Sequence, residues 1–497
     1  MKYHILTLGC QMNKSDSERV RTVIEGMGYQ WTEEEEEASL LGILACSVRQ
    51  KSIDKVYSRI ARWNKRKNRQ NLLTFVSGCV LPADKVKFLR LFDLVFTMSE
   101  LPDFPDMIRQ YGVTSRVAVN ATVGNGSGIW PLRKAAASNT RGQLNETGIS
   151  SSWQMKGALA DGLDSAKPSA LKPEAGIRDF WKLQPSYLSD FEAYIPIQNG
   201  CDKFCTFCAV PYTRGREISR PSGEIMEELK YLVNKGYKSI TLLGQNVNSY
   251  GLDKKGAELS FPGLLREIGE YGTISGHEFW VYFTSPHPRD MSDEVLEVIS
   301  AYDCLAKQIH LPLQSGDNKV LIRMNRKHSM ADYSHIIGSI RRILPQATVF
   351  TDIIVGFTGE TDEQFENTRM AMETFHFNMA YIAIYSPRPG AASSRWEDDI
   401  PMAVKKQRLH ILTEELTKHT LPYNQLLVGK KVKILVTGYD RKPGYMSGLT
   451  EGRIVVRFAS EDAVLPGSFI WLQITSAAPY SVEGSLVSQE SPSLVSP

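Results

Sequence analysis

The chain has 497 residues, 42% apolar and 23% charged, with 58 Lys+Arg against 55 Asp+Glu for a net charge of +3. That length exceeds one compact core, and that composition excludes a wholly disordered chain. No run of ~18 apolar residues could span a bilayer. The N-terminus MKYHILTLGCQMNKSDSE lacks the apolar core and cleavage site of a secretion signal. A cytoplasmic protein without a membrane partner is expected.

In chain order, Tyr3–Leu8 reads as a strand, Asp16–Met27 as a helix closed by Gly28, and Leu40–Ala45 as a second strand. Gln50–Lys67 follows as a basic helix, Leu72–Ser77 as a third strand and Asp93–Phe96 as a fourth. Strands alternating with helices predict a parallel α/β domain over residues 1–122. Glu33–Glu37 reads as a solvated loop or helix face without function. Residues 123–186 lose all periodicity and turn rich in Gly, Ser, Ala, Asn and Pro, which predicts a flexible linker. Trp130 and Trp153 read as stray aromatics within it.

Residues 187–425 alternate again. Ala193–Gln198, Ser239–Leu243, Phe279–Phe283, Gln308–Leu311, Val349–Val355 and Ala380–Ile384 are strand segments with helices between them. They predict a partial (β/α)6 barrel, short of the eight repeats of a full TIM barrel. Ser222, Ser329 and Thr361 stand where helix N-caps are expected. Residues 426–487 switch to short strands, Lys431–Thr437, Arg453–Phe458 and Phe469–Thr475, with GYDRKPGYMSG as a long turn. A small closed β-barrel is predicted there, and a disordered tail over residues 488–497.

Seven cysteines, an odd and small number, exclude a disulfide scaffold. Cys10, Cys46 and Cys79 each follow one of three successive predicted strands. In an open parallel sheet, ligands bind at the carboxyl ends of the strands, so these thiols read as converging ligands rather than core residues. Cys201, Cys205 and Cys208 form C-x3-C-x2-C directly after the first barrel strand. Soft thiolates at close spacing select iron–sulfur clusters or zinc. A structural zinc site needs a fourth ligand, and the nearest histidine in sequence is His277. Three thiolates on a four-iron cluster instead leave one iron open to chelate the amino and carboxylate groups of a substrate. Cys304 reads as a buried small hydrophobe.

C-x3-C-x2-C with Phe207 before its last cysteine resembles the radical S-adenosylmethionine superfamily. Three upstream cysteines, the stretch CDKFCTFCAVPYTRGREISRP and a terminal β-barrel are similar to the methylthiotransferases within it. LLGQNVNSYG (242–251), TSPHP (284–288), HLPLQSG (310–316), MNRKHS (324–329) and TDIIVGFTGET (351–361) occur in that family's order. The resemblance implies an N-terminal methylthiotransferase domain, a radical-SAM barrel and a TRAM-like terminal barrel. It implies two [4Fe–4S] clusters, one on Cys201, Cys205 and Cys208 and an auxiliary one on Cys10, Cys46 and Cys79. It further implies S-adenosylmethionine contacts at the later strand ends, where Gln245, Ser285, His310, Gln314, Arg326 and Asp352 stand.

GCQMNKSDSE and LLGQNVNSYG resemble the branch that converts N6-isopentenyladenosine beside the tRNA anticodon to its 2-methylthio derivative. Three other readings compete. They are a methylthiotransferase acting on threonylcarbamoyladenosine in tRNA or on a ribosomal protein, a non-catalytic iron–sulfur RNA-binding protein, and a zinc scaffold. Departures from the family pattern are Leu44-Ala45 before Cys46, where Asn-Thr is usual, Thr358 where Pro is frequent, and the long linker. A tRNA partner requires positive surface. From Arg49 to Arg69 nine basic residues face one acid, Asp54, which marks this helix as a candidate phosphate contact. Tyr439, Lys442 and Tyr445 are candidate contacts on the terminal barrel. The resemblance also implies a flavodoxin or ferredoxin electron donor, and a monomer is expected.

Overall fold

The computed structural model describes residues 1–48, 50–67, 69–111, 171–460 and 464–487. The linker residues 123–170, with Trp130 and Trp153, the tail 488–497 and Arg49 lie outside them. The chain forms two compact units.

The first unit comprises residues 1–188, 199–220 and 386–395. Its sheet runs β2-β1-β3-β4-β5, from β1 (Lys2–Thr7), β2 (Gln30–Trp31), β3 (Leu40–Cys46), β4 (Leu73–Cys79) and β5 (Leu94–Val95). Every pairing is parallel. All seven residues of β3 are buried. A central strand covered on both faces reads as a continuous apolar run rather than an alternating one, as LLGILAC does. One face packs on Val20 and Ile24 of α1 (Gln11–Gly26), together with Phe75, Phe96 and Phe104. The other packs on Ile53, Val56, Ile60 and Trp63 of α2 (Gln50–Lys67).

Three features differ from the sequence reading. Helix α1 begins at Gln11 rather than Asp16, and its first turns, including Asn13, Ser15, Asp16 and Ser17, are buried although polar. No apolar periodicity announces such a segment, because its partners lie far away in the chain. Residues 171–186, read as the end of a linker, carry helix Ile177–Trp181, whose Ile177, Phe180 and Trp181 are buried in the first core. Glu35, in the run read as solvated, is buried. Its carboxylate accepts from Trp63 Nε1 at 3.1 Å and pairs with Arg59 and Arg62 of α2.

The second unit comprises residues 189–198, 221–385 and 396–497. It holds the six strand segments expected from the sequence, as two three-stranded parallel sheets. One is ordered Trp280–Phe283, Ser239–Leu243, Glu192–Pro196, the other Gln308–His310, Thr348–Val355, Met379–Ile384. A parallel bridge between Val281 and Leu305 joins the edge of the first to the segment entering the second. Ser329 and Thr361 cap their helices with capping boxes. Ser222 does not: Pro221 occupies the N-cap position, Ser222 is the first helical residue, and its N–H donates to Glu258 instead.

Helix Met402–Gln425 leads into a closed five-stranded barrel ordered Lys431–Tyr439, Tyr445–Thr450, Val455–Ala459, Ser481–Leu486, Phe469–Ala478. Two of these strands escape the sequence reading. Tyr445–Thr450 begins inside the predicted long turn, where Gly and Ser mask the alternation, and Ser481–Leu486 pairs in parallel with Val455–Ala459. The barrel docks on the parallel strands through Trp280, Tyr282 and Leu435, with Trp280 and Phe469 ring centroids 4.6 Å apart. Among the described residues, no helix is long and apolar enough to cross a membrane.

Candidate functional site

In the first unit Cys46 and Cys79 end adjacent strands and are register partners, being the last strand residues rather than lying just beyond them. Cys10 stands at the turn from β1 into α1, at the N-cap position. Two glycines permit this edge. Gly9 has φ +108°, and a Cβ there would come within 2.7 Å of Cys46 Cβ and 3.1 Å of its Sγ. Gly78 has φ +98°, and a Cβ would lie 2.6 Å from Ala45 O. Both backbone positions favour glycine; Gly9 brings the chain directly against Cys46, and Gly78 against the Ala45 backbone beside it.

Asn13 braces the same edge. Its Nδ2 donates to Leu8 O at 2.6 Å and Ala45 O at 2.8 Å, and Cys79 Sγ lies 3.6 Å from its Oδ1. Ser47 donates its N–H to Cys79 O at 2.7 Å and its hydroxyl to Asp84. Burial pushes the Cys79 thiol up to about 12; Arg214 opposes this, while Cys46 and Cys10 are close enough to add to it. A thiol so placed ionises when a cation binds it, since metal ligation requires the thiolate.

The C-x3-C-x2-C loop belongs to this unit too. Cys201 is buried, whereas Cys205 and Cys208 are partly exposed. Burial raises the Cys201 thiol, and Cys208 and Cys205 add to the effect. Gly200, with φ +82°, passes 2.2 Å (as a Cβ distance) from Arg216 O. Asp202 ties the loop down by accepting from Arg216 at 2.6 and 2.8 Å and from Glu217 N at 3.0 Å. Ser393 N donates to Thr206 O at 2.9 Å.

Arg214, which sequence reasoning did not single out, follows the C-x3-C-x2-C loop in the chain and turns its guanidinium to Cys79 of the other triad. It is 3% exposed, and its Nε donates to Cys79 Sγ at 3.1 Å while Nη2 pairs with buried Asp16. Asn199 Nδ2 donates to Arg214 O and to Glu174, whose carboxyl burial pushes up. The only sequence signal was position: Arg214 falls six residues after Cys208 in the stretch that carries the resemblance. Among the described residues no three His, Cys, Asp or Glu side chains surround a point closely enough for a single metal ion. A cubane cluster takes its thiolates at separate corner irons, so it suits three cysteines set on three different strand or loop ends. Three thiol donors at each site, without a fourth protein ligand beside them among the described residues, fit such a group at each triad.

In the second unit the strand-end polar residues fall into two sets. His310 Nε2 meets Asp352 Oδ2 at 2.9 Å. Gln314 N donates to Asp352 O at 2.8 Å and Gln314 O accepts from Ile354 N, while Arg326 Nη2 donates to Pro312 O at 2.8 Å. Gln245 and Ser285 follow the ends of Ser239–Leu243 and Trp280–Phe283, in the other sheet. Ser285 (φ 60°), Gln314 (φ 74°), and Asn325 and Lys327 (both φ 57°) flanking Arg326 are in the left-handed region. Each such non-glycine residue costs roughly 1–3 kcal/mol, and such strain concentrates at functional loops. The asparagines of LLGQNVNSYG brace loops: Asn248 exchanges two hydrogen bonds with the His287 backbone, and Asn246 donates to Ser249 and Asp290. The Thr358 hydroxyl is buried without a hydrogen-bond partner among the described residues.

Helix α2 offers less free charge than its sequence promised. Arg59 and Arg62 pair with Glu35, Arg66 donates to Glu35 O and Glu36 O, and Lys67 pairs with Asp93. On the terminal barrel Tyr439 is 86% exposed, while the Lys442 ammonium sits 3.6 Å from the Tyr445 ring centroid.

Residues 195–371 match the Radical SAM superfamily, and residues 2–98 match Uncharacterized protein family UPF0004. The tRNA-2-methylthio-N(6)-dimethylallyladenosine synthase of Oceanobacillus iheyensis is 33% identical over 493 residues, covering 98% of this chain and 84% of that one. The synthase of Dictyoglomus thermophilum is 34% identical over 491 residues, covering 98% of each. Among solved structures, the radical S-adenosylmethionine methyltransferase TsrM from Kitasatospora setae aligns with a TM-score of 0.43 and 11% identity, covering 92% of this chain and 80% of that one.

Proposed function

The chain belongs to the radical S-adenosylmethionine methylthiotransferases, the family of the tRNA-2-methylthio-N(6)-dimethylallyladenosine synthases, and we propose that it converts N6-isopentenyladenosine beside the tRNA anticodon to the 2-methylthio derivative. One observation carries the proposal beyond family membership: both cysteine triads fall within a single compact unit, and Arg214, six residues after Cys208, donates to Cys79 Sγ. Cys201, Cys205 and Cys208 would hold one [4Fe–4S] cluster, and Cys10, Cys46 and Cys79 the auxiliary one. Together with S-adenosylmethionine, the clusters supply the radical and sulfur chemistry that an unactivated aromatic C2–H bond demands and that acid–base side chains cannot provide.

The chain's own residues do the positioning. Asn13, Gly9 and Gly78 hold three strand ends at a fixed separation. In the second unit, Gln245, Ser285, His310, Gln314, Arg326 and Asp352 would bind S-adenosylmethionine, with the His310–Asp352 pair fixing the imidazole ring. The target adenine must leave its stack to be reached. Lys51, Lys55 and Lys65 of α2, and Tyr439, Lys442 and Tyr445 on the terminal barrel, would meet the tRNA backbone and bases. The working division is residues 1–122, 187–425 and 426–487. A flavodoxin or ferredoxin would deliver electrons to a cytoplasmic monomer.

The test is nucleoside mass analysis of tRNA from a bacterial strain lacking 2-methylthio modification, expressing this chain or its C10A/C46A/C79A variant. Appearance of 2-methylthio-N6-isopentenyladenosine with the intact chain alone supports the proposal. Modification of threonylcarbamoyladenosine or of ribosomal protein instead would overturn the substrate assignment.

A further inference from the structure

Arg214 ends the short helix Val210–Arg214 that follows Cys208, yet its guanidinium is spent on the other cysteine triad. Nε–H donates to Cys79 Sγ at 3.1 Å. Nη2 pairs with Asp16, which is fully buried in the first turns of α1, and also reaches Asn13 Oδ1 at 3.4 Å. Nη1 reaches Asn199 Oδ1 at 3.4 Å. A guanidinium is a rigid planar fork. Asp16 holds Nη2 closely, the longer contacts to Asn199 and Asn13 favour the same orientation, and the remaining Nε–H falls on the Cys79 sulfur. Asp16, Asn13 and Asn199 thus have a shared geometric effect: they aim one donor at one sulfur.

We infer that Arg214 is a positioning residue that keeps a fixed N–H bond on the Cys79 sulfur and so sets the reduction potential of the iron–sulfur cluster on Cys10, Cys46 and Cys79, while tying that site to the loop of Cys201, Cys205 and Cys208. The inference rests on the reading of Cys10, Cys46 and Cys79 as cluster ligands. Hydrogen bonds to ligating sulfurs and nearby positive charge favour the reduced, more negative cluster and raise its potential. The contact is aimed at one triad only, so the effect is selective. It also gives the two triads a common support, since displacement of the Cys208–Arg214 segment would pull the donor off Cys79.

The test is an anaerobic redox titration, followed by electron paramagnetic resonance, of the full-length reconstituted protein as wild type, R214K and R214Q. Each is measured with all six cysteines, in a C201A/C205A/C208A background and in a C10A/C46A/C79A background. R214K keeps a cation beside Asp16 but loses the aimed Nε–H. The potential of the Cys10/Cys46/Cys79 cluster is expected to move negative in both variants, further in R214Q, with the other cluster unmoved. Selective loss of auxiliary iron from both variants, with the Cys201/Cys205/Cys208 cluster retained, would overturn the potential-setting role and leave Arg214 a purely structural support of that site. Unmoved potentials at full iron loading, equal shifts of both clusters, or loss of all iron from R214K would overturn it. A wild-type protein without any cluster in the C201A/C205A/C208A background would overturn the ligand reading itself, and the inference with it.

Discussion

The side-chain amide of Asn13 donates a 2.8 Å hydrogen bond to the carbonyl of Ala45, the residue immediately before Cys46. The same amide donates to Leu8 O, just before the Gly9-Cys10 turn. One side chain therefore fixes the spacing of two strand ends. The Leu44-Ala45 departure from the usual Asn-Thr leaves this brace intact, because Asn13 bonds the backbone of Ala45 rather than its side chain.

Asn13→Ala removes both donors and leaves two buried carbonyls without them. Each such loss costs about 1–3 kcal/mol, so a destabilisation of about 2–6 kcal/mol is expected, read from the denaturant midpoint. Iron bound by Cys10, Cys46 and Cys79 should fall before that bound by the other triad. Unchanged stability and iron content would show that the backbone holds the edge unaided.

Glu35 should make the first unit acid-sensitive. Burial opposes its ionisation, but Trp63 Nε1–H, Arg62 and Arg59 prevail and hold its carboxyl below the ordinary glutamate value. A depressed folded-state value contributes stability that is complete above the unfolded value of about 4.3 and is lost as pH falls through the folded one. Glu35→Gln should flatten that acid limb. At neutral pH it should cost about 2–4 kcal/mol, near the low end for breaking a buried pair, because the arginines are partly exposed. Urea midpoints at several pH values provide the measurement.

His328 acts on a different pH window. Burial, with Arg326 beside it, lowers its imidazole to about 4. The folded chain then refuses a proton that the unfolded chain takes up below about 6.5, so stability falls as pH drops from that value towards 4. The shift corresponds to about 3 kcal/mol across the window. His328→Gln should remove this dependence. An unaltered pH profile of thermal unfolding in H328Q would contradict the assignment.

Arg453 locks the terminal barrel to the parallel strands. Its guanidinium carbon sits 4.0 Å from the Tyr282 ring centroid and Nη2 donates to Thr241 at 3.2 Å, while nearby Glu451 accepts from Lys307 N at 2.9 Å. Arg453→Ala forfeits a cation–π contact and a hydrogen bond, about 1.5–3 kcal/mol in all. Limited proteolysis should then release the segment after Gln425 faster, with the parallel strands still protected. Equal cleavage rates would place the docking energy in Trp280 and Phe469 instead.

Local pattern and spacing determined much of this molecule by themselves. Leu40–Ala45 read as a buried strand, Gln50–Lys67 as a basic helix with the limits the structure shows, and C-x3-C-x2-C marked thiolate chemistry before any coordinate. These signals are legible because their causes lie within a few residues of chain. Only the tertiary structure decided which polar groups are buried. Asp16 and Arg214 pair across nearly two hundred residues, Glu35 is claimed by arginines of α2, and Asn13 ties Leu8 to Ala45. Polar residues are buried only where distant partners satisfy them, and nothing in the local sequence states which partner the fold will bring.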